Sequence, residues 1–278
     1  MQLSPRYGTN PVIDLDGSPA AILEPTVRQR RRLLAAVRSF TDAQWAHPSR
    51  CDGWSSRDVI VHLDSTNSFW TYSITEGLRG EPSCLLATFD PVSSPAQLVA
   101  GSNDVANAEV LDRFATSTES LLALLASLSG DDLTALAEAP PGHLSVSAVL
   151  HHALWDSWVH ERDILLAMGI APEEDADEIA ACLRYVAGLG PALTVTRGGA
   201  GHGVMTIFAT EPDTSVVVEI TDHVVVRAGT ADADLRLTGK AVDLVEALSI
   251  RQPHDQPIPA ASWWMLQGLS ETFDVQQN

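Results

Sequence analysis

The chain has 278 residues, 45% of them hydrophobic and 19% charged, enough apolar material for one large or two ordinary domains. Its 36 acidic residues outnumber 17 basic ones, and a formal net charge of −19 argues against nucleic acid as a partner. Cys51, Cys84 and Cys182 are odd in number and widely spaced, so no disulfide framework is expected and a reducing cytoplasm is.

Residues 1–20 carry Pro5, Gly8, Pro11, Gly17 and Pro19 and read as an extended arm. They lack a basic start followed by an apolar run, so no signal peptide is expected. No stretch approaches the roughly 18 apolar residues of a membrane span. Residues 25–40 read as a helix with Pro25 in its first turn. Its apolar stripe is Val27, Leu33, Leu34, Val37 and Phe40, and Arg30, Arg31 and Arg32 read as a solvated face. Pro48 and Gly53 then mark a loop. Ser55 and Asp58 are spaced as a capping box, with Trp54 and Val59 placed to staple the helix start. That helix should run to about residue 80 and carries His62 two turns in. A lone histidine among Val59, Ile60, Val61 and Leu63 reads first as a core residue. A loop with Pro82, Pro91 and Pro95 leads to a further helix over 95–128, strongest over 106–128. Pro140, Pro141 and Gly142 mark the next loop.

The stretch VLHHALWDSWVHERDILLAMG at 149–169 organises the rest. Leu150, Leu154, Trp155, Trp158, Val159, Ile164 and Leu165 surround its axis, which predicts a helix buried on most sides. Yet it also holds His151, His152, Asp156, His160, Glu161 and Asp163, and burying such groups is costly unless they are paired or bind a metal. At about 100° per residue, His152, Asp156, His160 and Asp163 share an arc of about 80°. Four main helices therefore form an N-terminal bundle.

After Gly169 the acidic segment IAPEEDADE marks a boundary. A helix is expected over 175–189, then strands over 204–210, 215–221, 223–228 and 233–238, rich in Val, Ile and Thr. A helix over 240–251 follows, and the tail with Trp263, Trp264, Met265 and Leu266 should pack on the sheet. The organisation read from sequence is an arm (1–20), a helical bundle (21–170) and an α+β domain (171–278).

Asp156 and His160 stand four apart and face the same way, so both can reach one ion together with His62. Two histidines and one carboxylate are a common catalytic zinc set and suit iron or nickel as well. The same residues could instead form a metal-free buried network, and their spacing does not choose between the two. His152 reads as a fourth ligand, a neighbour of the ligands or a histidine bonded to backbone. Asp163 reads as an orienting partner of His160 or a structural pair. Glu161 points away from the stripe and reads as a surface or interdomain contact. Trp54, Trp70, Trp155 and Trp158 read as core before pocket. The cysteines read as structural, Cys51 lacking a cationic partner that would make it reactive. Gly198-Gly199-Ala200-Gly201 lacks the setting of a nucleotide fingerprint and reads as a turn.

The piece WAHPSRCDGWSSRDVIVHL, with Pro48, Cys51, Gly53-Trp54, Asp58 and His62, resembles the mycothiol-dependent maleylpyruvate isomerase family, part of the DinB-like metalloenzyme superfamily. WDSWVHERDILLAMG resembles that family's helix in which an acidic residue precedes a histidine by four. ADLRLTGKAVDLVEALSIR resembles its smaller C-terminal domain. The resemblance implies a DinB-like four-helix bundle followed by a small, sterol-carrier-protein-like α+β domain. It implies a divalent metal, usually zinc, on His62, Asp156 and His160, with mycothiol as cosubstrate. It also implies a thiol activated by the metal for addition to a small electrophile, in isomerisation or S-transfer. The family's isomerase has Glu where this chain has Asp156. An arginine of the small domain takes part there, and Arg227, Arg236 and Arg251 are all candidates for it. No catalytic residue is assigned beyond these. The alternatives are a metal-dependent hydrolase or lyase and a non-catalytic binding protein on the same scaffold.

Overall fold

The computed structural model describes residues 2–199 and 201–275. A short strand, β1 (Ile13–Leu15), precedes helix α1 (Leu23–Arg38). A one-turn helix, α2 (Asp42–Trp45), is closed by a capping box between Thr41 and Gln44. Helix α3 (Ser56–Leu78) starts as its sequence dictates: Ser55 Oγ accepts from the Asp58 N–H, and the Asp58 carboxylate accepts from the Ser55 N–H. The single helix expected over 95–128 is two, α4 (Ser93–Ala100) and α5 (Asn107–Ser127). Gly101, Ser102, Asn103 and Asp104 break it, because short polar side chains and glycine favour turns over the helical ladder. Residues 136–145, read from sequence as a loop, hold a hairpin of β2 (Leu136–Ala139) and β3 (Gly142–Ser145). Pro140 and Pro141 occupy its turn, where no ladder donor is lost.

Helix α6 (Val146–Leu165) is capped by Ser145, whose side chain accepts from the Ala148 N–H, and every residue in it except Asp156 is buried. The chain thus folds as a helical bundle of α1, α3, α5 and α6 followed by an α+β part. Helix α7 (Ala176–Thr196) continues past the expected end near 189, through Pro191. Gly188 weakens local helix propensity but serves packing, since a Cβ there would lie 2.8 Å from Val226 Cγ2 on the sheet. By length and composition α7 could cross a membrane, but it is mostly buried inside this fold.

The sheet contains β4 (Gly203–Thr210), β5 (Thr214–Ile220), β6 (Val224–Ala228) and β7 (Leu235–Lys240), in the order β1-β6-β5-β4-β7. β1 joins β6 and β7 joins β4 in parallel, and the other pairs are antiparallel. Within the arm expected to be merely extended, residues 13–15 are therefore an edge strand of the C-terminal sheet, with Val12 and Ile13 fully inside. Helix α8 (Ala241–Leu248) is shorter than expected because Ile250 turns left-handed, at φ 55°. The tail, expected on the sheet, packs mainly on α7 through α9 (Gly268–Phe273), with Met265 and Trp264 reaching Gly203 at the start of β4. Gly198, with φ 79°, closes α7; Ala200 of the expected glycine-rich turn lies outside the described residues. One apolar core runs from Trp70 and Leu150 in the bundle through Tyr185 to Val218 and Leu237 in the sheet.

Candidate metal centre

Helices α3 and α6 lie side by side and bring His62 against Asp156 and His160. His62 Nε2 is 3.8 Å and His160 Nε2 3.6 Å from the same oxygen, Asp156 Oδ1. These separations are too long for hydrogen bonds. They approach the about 3.4 Å that separates two ligands of one tetrahedral zinc. One donor atom from each of the three lies within 4.8 Å of the others. The rings of His62 and His160 meet edge to face at 5.0 Å, and the Trp54 ring stands 5.5 Å from His62. The three side chains keep only 14%, 14% and 11% of their surface, so the cluster is largely desolvated yet reachable by a small ion. Asp156 Oδ2 is buried and has no hydrogen-bond partner among the described residues. Burial pushes the Asp156 carboxyl up, but His62, His160 and His152 outweigh it and hold it well below the usual carboxylate range.

The other edge of the His160 ring faces a second group of residues. His160 Nδ1 lies 3.0 Å from Asp163 Oδ2 and 3.6 Å from Cys51 Sγ, and the Cys51 thiol donates to Asp163 Oδ2 at 3.2 Å. Asp163 is fully buried and also accepts from Arg50 Nε at 3.1 Å and from Arg251 Nε and Nη2 at 3.0 and 2.9 Å. Burial pushes the His160 imidazole down, but Cys51, Asp163 and Asp156 together raise it to about 10. Burial likewise opposes the Asp163 charge, and His160 with Arg251 overcomes it, holding the carboxyl far below its ordinary range. Asp163 fixes the proton on Nδ1, so Nε2 is the nitrogen left to face His62 and Asp156.

The loop bearing Cys51 is held from several sides. The Arg50 N–H donates to Asp163 O at 3.0 Å, Ser49 and Ser56 bond Trp54 O and His47 O, and Gly53 supplies the left-handed turn at φ 73°. Cys51 is therefore not an isolated structural thiol, as the sequence suggested: Arg251 Nη2 stands 3.9 Å from its sulfur. Of the three arginines considered, Arg251 is the one that reaches this cluster. Arg227 pairs with Glu219, and Arg236 covers the Phe208 ring.

His152 stands apart from the donor trio. Its Nδ1 bonds the Tyr185 hydroxyl at 2.6 Å, inside a box of Trp70, Trp155 and Tyr185 rings. Burial drives His152 down to about 4, and does the same to His151, whose Nδ1 bonds Ser147 O. Two surface expectations are overturned. Glu161 is buried and bonds Arg32 and Gln29; Arg30 is fully buried and donates to Ala153 O, while Arg32 spans Glu161 and Glu178. Successive arginines on a helix point about 100° apart, so such a run splits between core and surface. Trp70 and Trp158 are core, and Trp155 Nε1 donates to Ser249 Oγ beyond α8. An open groove of about 800 Å³ lies elsewhere, between α3 and α5.

A helical bundle with two imidazoles and a carboxylate converging between two of its helices, followed by an α+β part, defines a two-part protein with a candidate divalent-metal centre. The family model for the mycothiol maleylpyruvate isomerase N-terminal domain matches residues 27–165, and the chain belongs to that family. The chain is similar to the crystal structure of the mycothiol-dependent maleylpyruvate isomerase, at 13% identity and a TM-score of 0.59, over 87% of this chain and 93% of that one. A histidine-to-alanine mutant of that enzyme matches equally, over 94% of its chain. These likenesses show a shared fold. YfiT from Bacillus subtilis, described as a probable metal-dependent hydrolase with an unusual four-helix bundle topology, aligns at 19% identity and a TM-score of 0.45, over 61% of this chain and 95% of its own. No curated protein matches the chain significantly.

Proposed function

We propose that the chain is a metal-dependent enzyme. It holds one divalent ion on His62, Asp156 and His160 and activates a low-molecular-weight thiol, mycothiol, for addition to a small electrophile by isomerisation or S-transfer. Zinc is the first choice of metal, with nickel or iron as alternatives. The observation that carries this reading is the convergence of three donors from two helices on one point. The residues fit such an ion. The donor set is two imidazoles and one carboxylate, both histidines turn Nε2 toward Asp156, and Asp156 Oδ2 is a buried acceptor without a hydrogen-bond partner among the described residues. Family membership supports the thiol as cosubstrate.

Bound there, a divalent ion would lower the pKa of a thiol and make a thiolate available at neutral pH. The protein's own part is to orient and to neutralise. Asp163 holds the His160 proton on Nδ1, Arg50 and Arg251 balance the Asp163 charge, and the Trp54 ring packs beside His62. Asp156 is one methylene shorter than the glutamate of the family's isomerase, so the ion would sit differently or be held more weakly. A reducing cytoplasm, where a thiol cosubstrate persists, is the compartment this reading implies.

The test begins with elemental mass spectrometry of untagged protein, followed by mycothiol titration of the cobalt-substituted form. About one metal per chain and a thiol-dependent change in the cobalt spectrum are expected. Stoichiometric metal with no thiol response would favour the hydrolase or lyase alternative. No metal and no uptake would refute the reading.

A further inference from the structure

We infer that Glu246, on α8, is a positioning residue for the His160 imidazole, acting through Arg50 and Asp163. The inference rests on the reading of His160 as a metal ligand. Glu246 is 4% exposed. Its Oε2 accepts from Arg50 Nη2 at 2.8 Å, and its Oε1 accepts from the same nitrogen at 3.1 Å and from Arg162 Nε at 2.7 Å. The Arg50 side chain so held turns its Nε to Asp163 Oδ1, while Asp163 Oδ2 accepts a hydrogen bond from His160 Nδ1. A chain of charge-assisted bonds thus runs from the C-terminal part to the ring edge opposite the metal-facing nitrogen.

The backbone supports this assignment. Helix α8 ends in a Schellman turn, with the Arg251 N–H donating to Glu246 O and the Ile250 N–H to Ala247 O. The turn gives Ile250 its left-handed φ of 55°, a conformation that opposes a β-branched side chain. Such strain persists only where the surroundings over-determine it. Here the turn directs Glu246 at Arg50 and Arg251 at Asp163 from one short segment. Without the Glu246 negative charge, Arg50 and Arg162 lose the charge-assisted bonds to their shared partner. Arg50 then closes on Asp163, the nearest anion, and draws it off His160 Nδ1. The ring is freed to rotate or to place its proton on Nε2, and either outcome weakens metal binding.

The experiment uses the 278-residue chain and compares wild type, Glu246→Gln and the control Glu174→Gln, whose carboxylate meets the outer end of Arg162. Zinc affinity is read by competition with a chromophoric chelator, and cobalt-substituted samples give ligand-field spectra. Glu246→Gln should bind zinc about tenfold or more weakly with an altered cobalt spectrum, and Glu174→Gln should stay within about twofold of wild type. Wild-type affinity and spectrum in Glu246→Gln would overturn the inference. Should that variant fail to fold, Arg50→Gln breaks the next link, and unchanged binding there would overturn it equally. The downfield proton signal of the Asp163-bound His160 Nδ1–H is followed in metal-free protein too. It should shift in Glu246→Gln. A wild type that binds no metal would sink the metal reading, and this signal would still decide the role of Glu246: a shift supports it, and no shift refutes it.

Discussion

Asp163→Asn is the substitution that most directly tests how the centre is held. The change is nearly isosteric, so packing is kept and only charge and one acceptor are lost. Asp163 is fully buried and accepts from His160, Cys51, Arg50 and Arg251. Removing one member of a buried ion pair destabilises by about 3–5 kcal/mol. Arg50 and Arg251 keep 28% and 22% of their side-chain surface, so water compensates them in part and the low end, about 3 kcal/mol, applies. In a protein of this size that corresponds to a fall in Tm of roughly 6–12 °C, read by circular dichroism on metal-free protein. Loss of the His160 anchor should separately weaken zinc binding by about 10–100-fold. A Tm within about 2 °C of wild type, together with unchanged zinc affinity, would refute the claim that Asp163 anchors the imidazole.

The ligand assignment predicts that Asp156→Ala and His160→Ala each abolish stoichiometric metal while the far-ultraviolet spectrum stays helical; full metal retention in both would sink it. The metal-free protein should lose stability as pH falls from about 6.5 toward 4. His151 and His152 are held at about 4 in the fold but titrate near 6.5 when unfolded, so the unfolded chain takes up the extra protons in that window. The slope should be about 1.4 kcal/mol per pH unit for each histidine. His160 does not offset this, since its raised value keeps it protonated in both states there. A flat profile between pH 6.5 and 4 would count against two neutral buried histidines. Ile13→Ala, which empties a fully buried site in β1, should cost about 3 kcal/mol in thermal or urea unfolding. No measurable loss would mean that the arm does not belong to the sheet in solution.

What the sequence revealed and what it hid divide along physical lines. The titratable stripe on α6 was legible because helical geometry places residues three and four apart on one face whatever surrounds them. The Ser55 capping box was legible because both of its partners lie within one turn. The cluster around Cys51 was not, since its partners His160, Asp163 and Arg251 are 109, 112 and 200 residues away. Arg30, Arg31 and Arg32 misled for a related reason. Their type suggested solvent, and only the later positions of Glu161 and Glu178 show why Arg32 turns inward. Strand β1 was invisible because three residues carry no readable alternation, and its partner β6 lies at the other end of the chain.

Three consecutive buried charges on α6 tie the bundle to the C-terminal part. Glu161 is met by Arg32 of α1, Arg162 by Glu246 of α8, and Asp163 by Arg50 together with Arg251 beyond α8. The first charge is balanced within the bundle, the second by Glu246 together with Glu174 of the segment after α6, and the third by both parts. Inside the folded chain each of these buried charges is met by an opposite one, and two of the three draw partners from the C-terminal part, where breaking a buried pair is strongly destabilising. The helix that carries Asp156 and His160 can be buried on nearly every side because the α+β part supplies those partners. Docking of the C-terminal part and the orientation of His160 are therefore linked, and whatever loosens one should loosen the other.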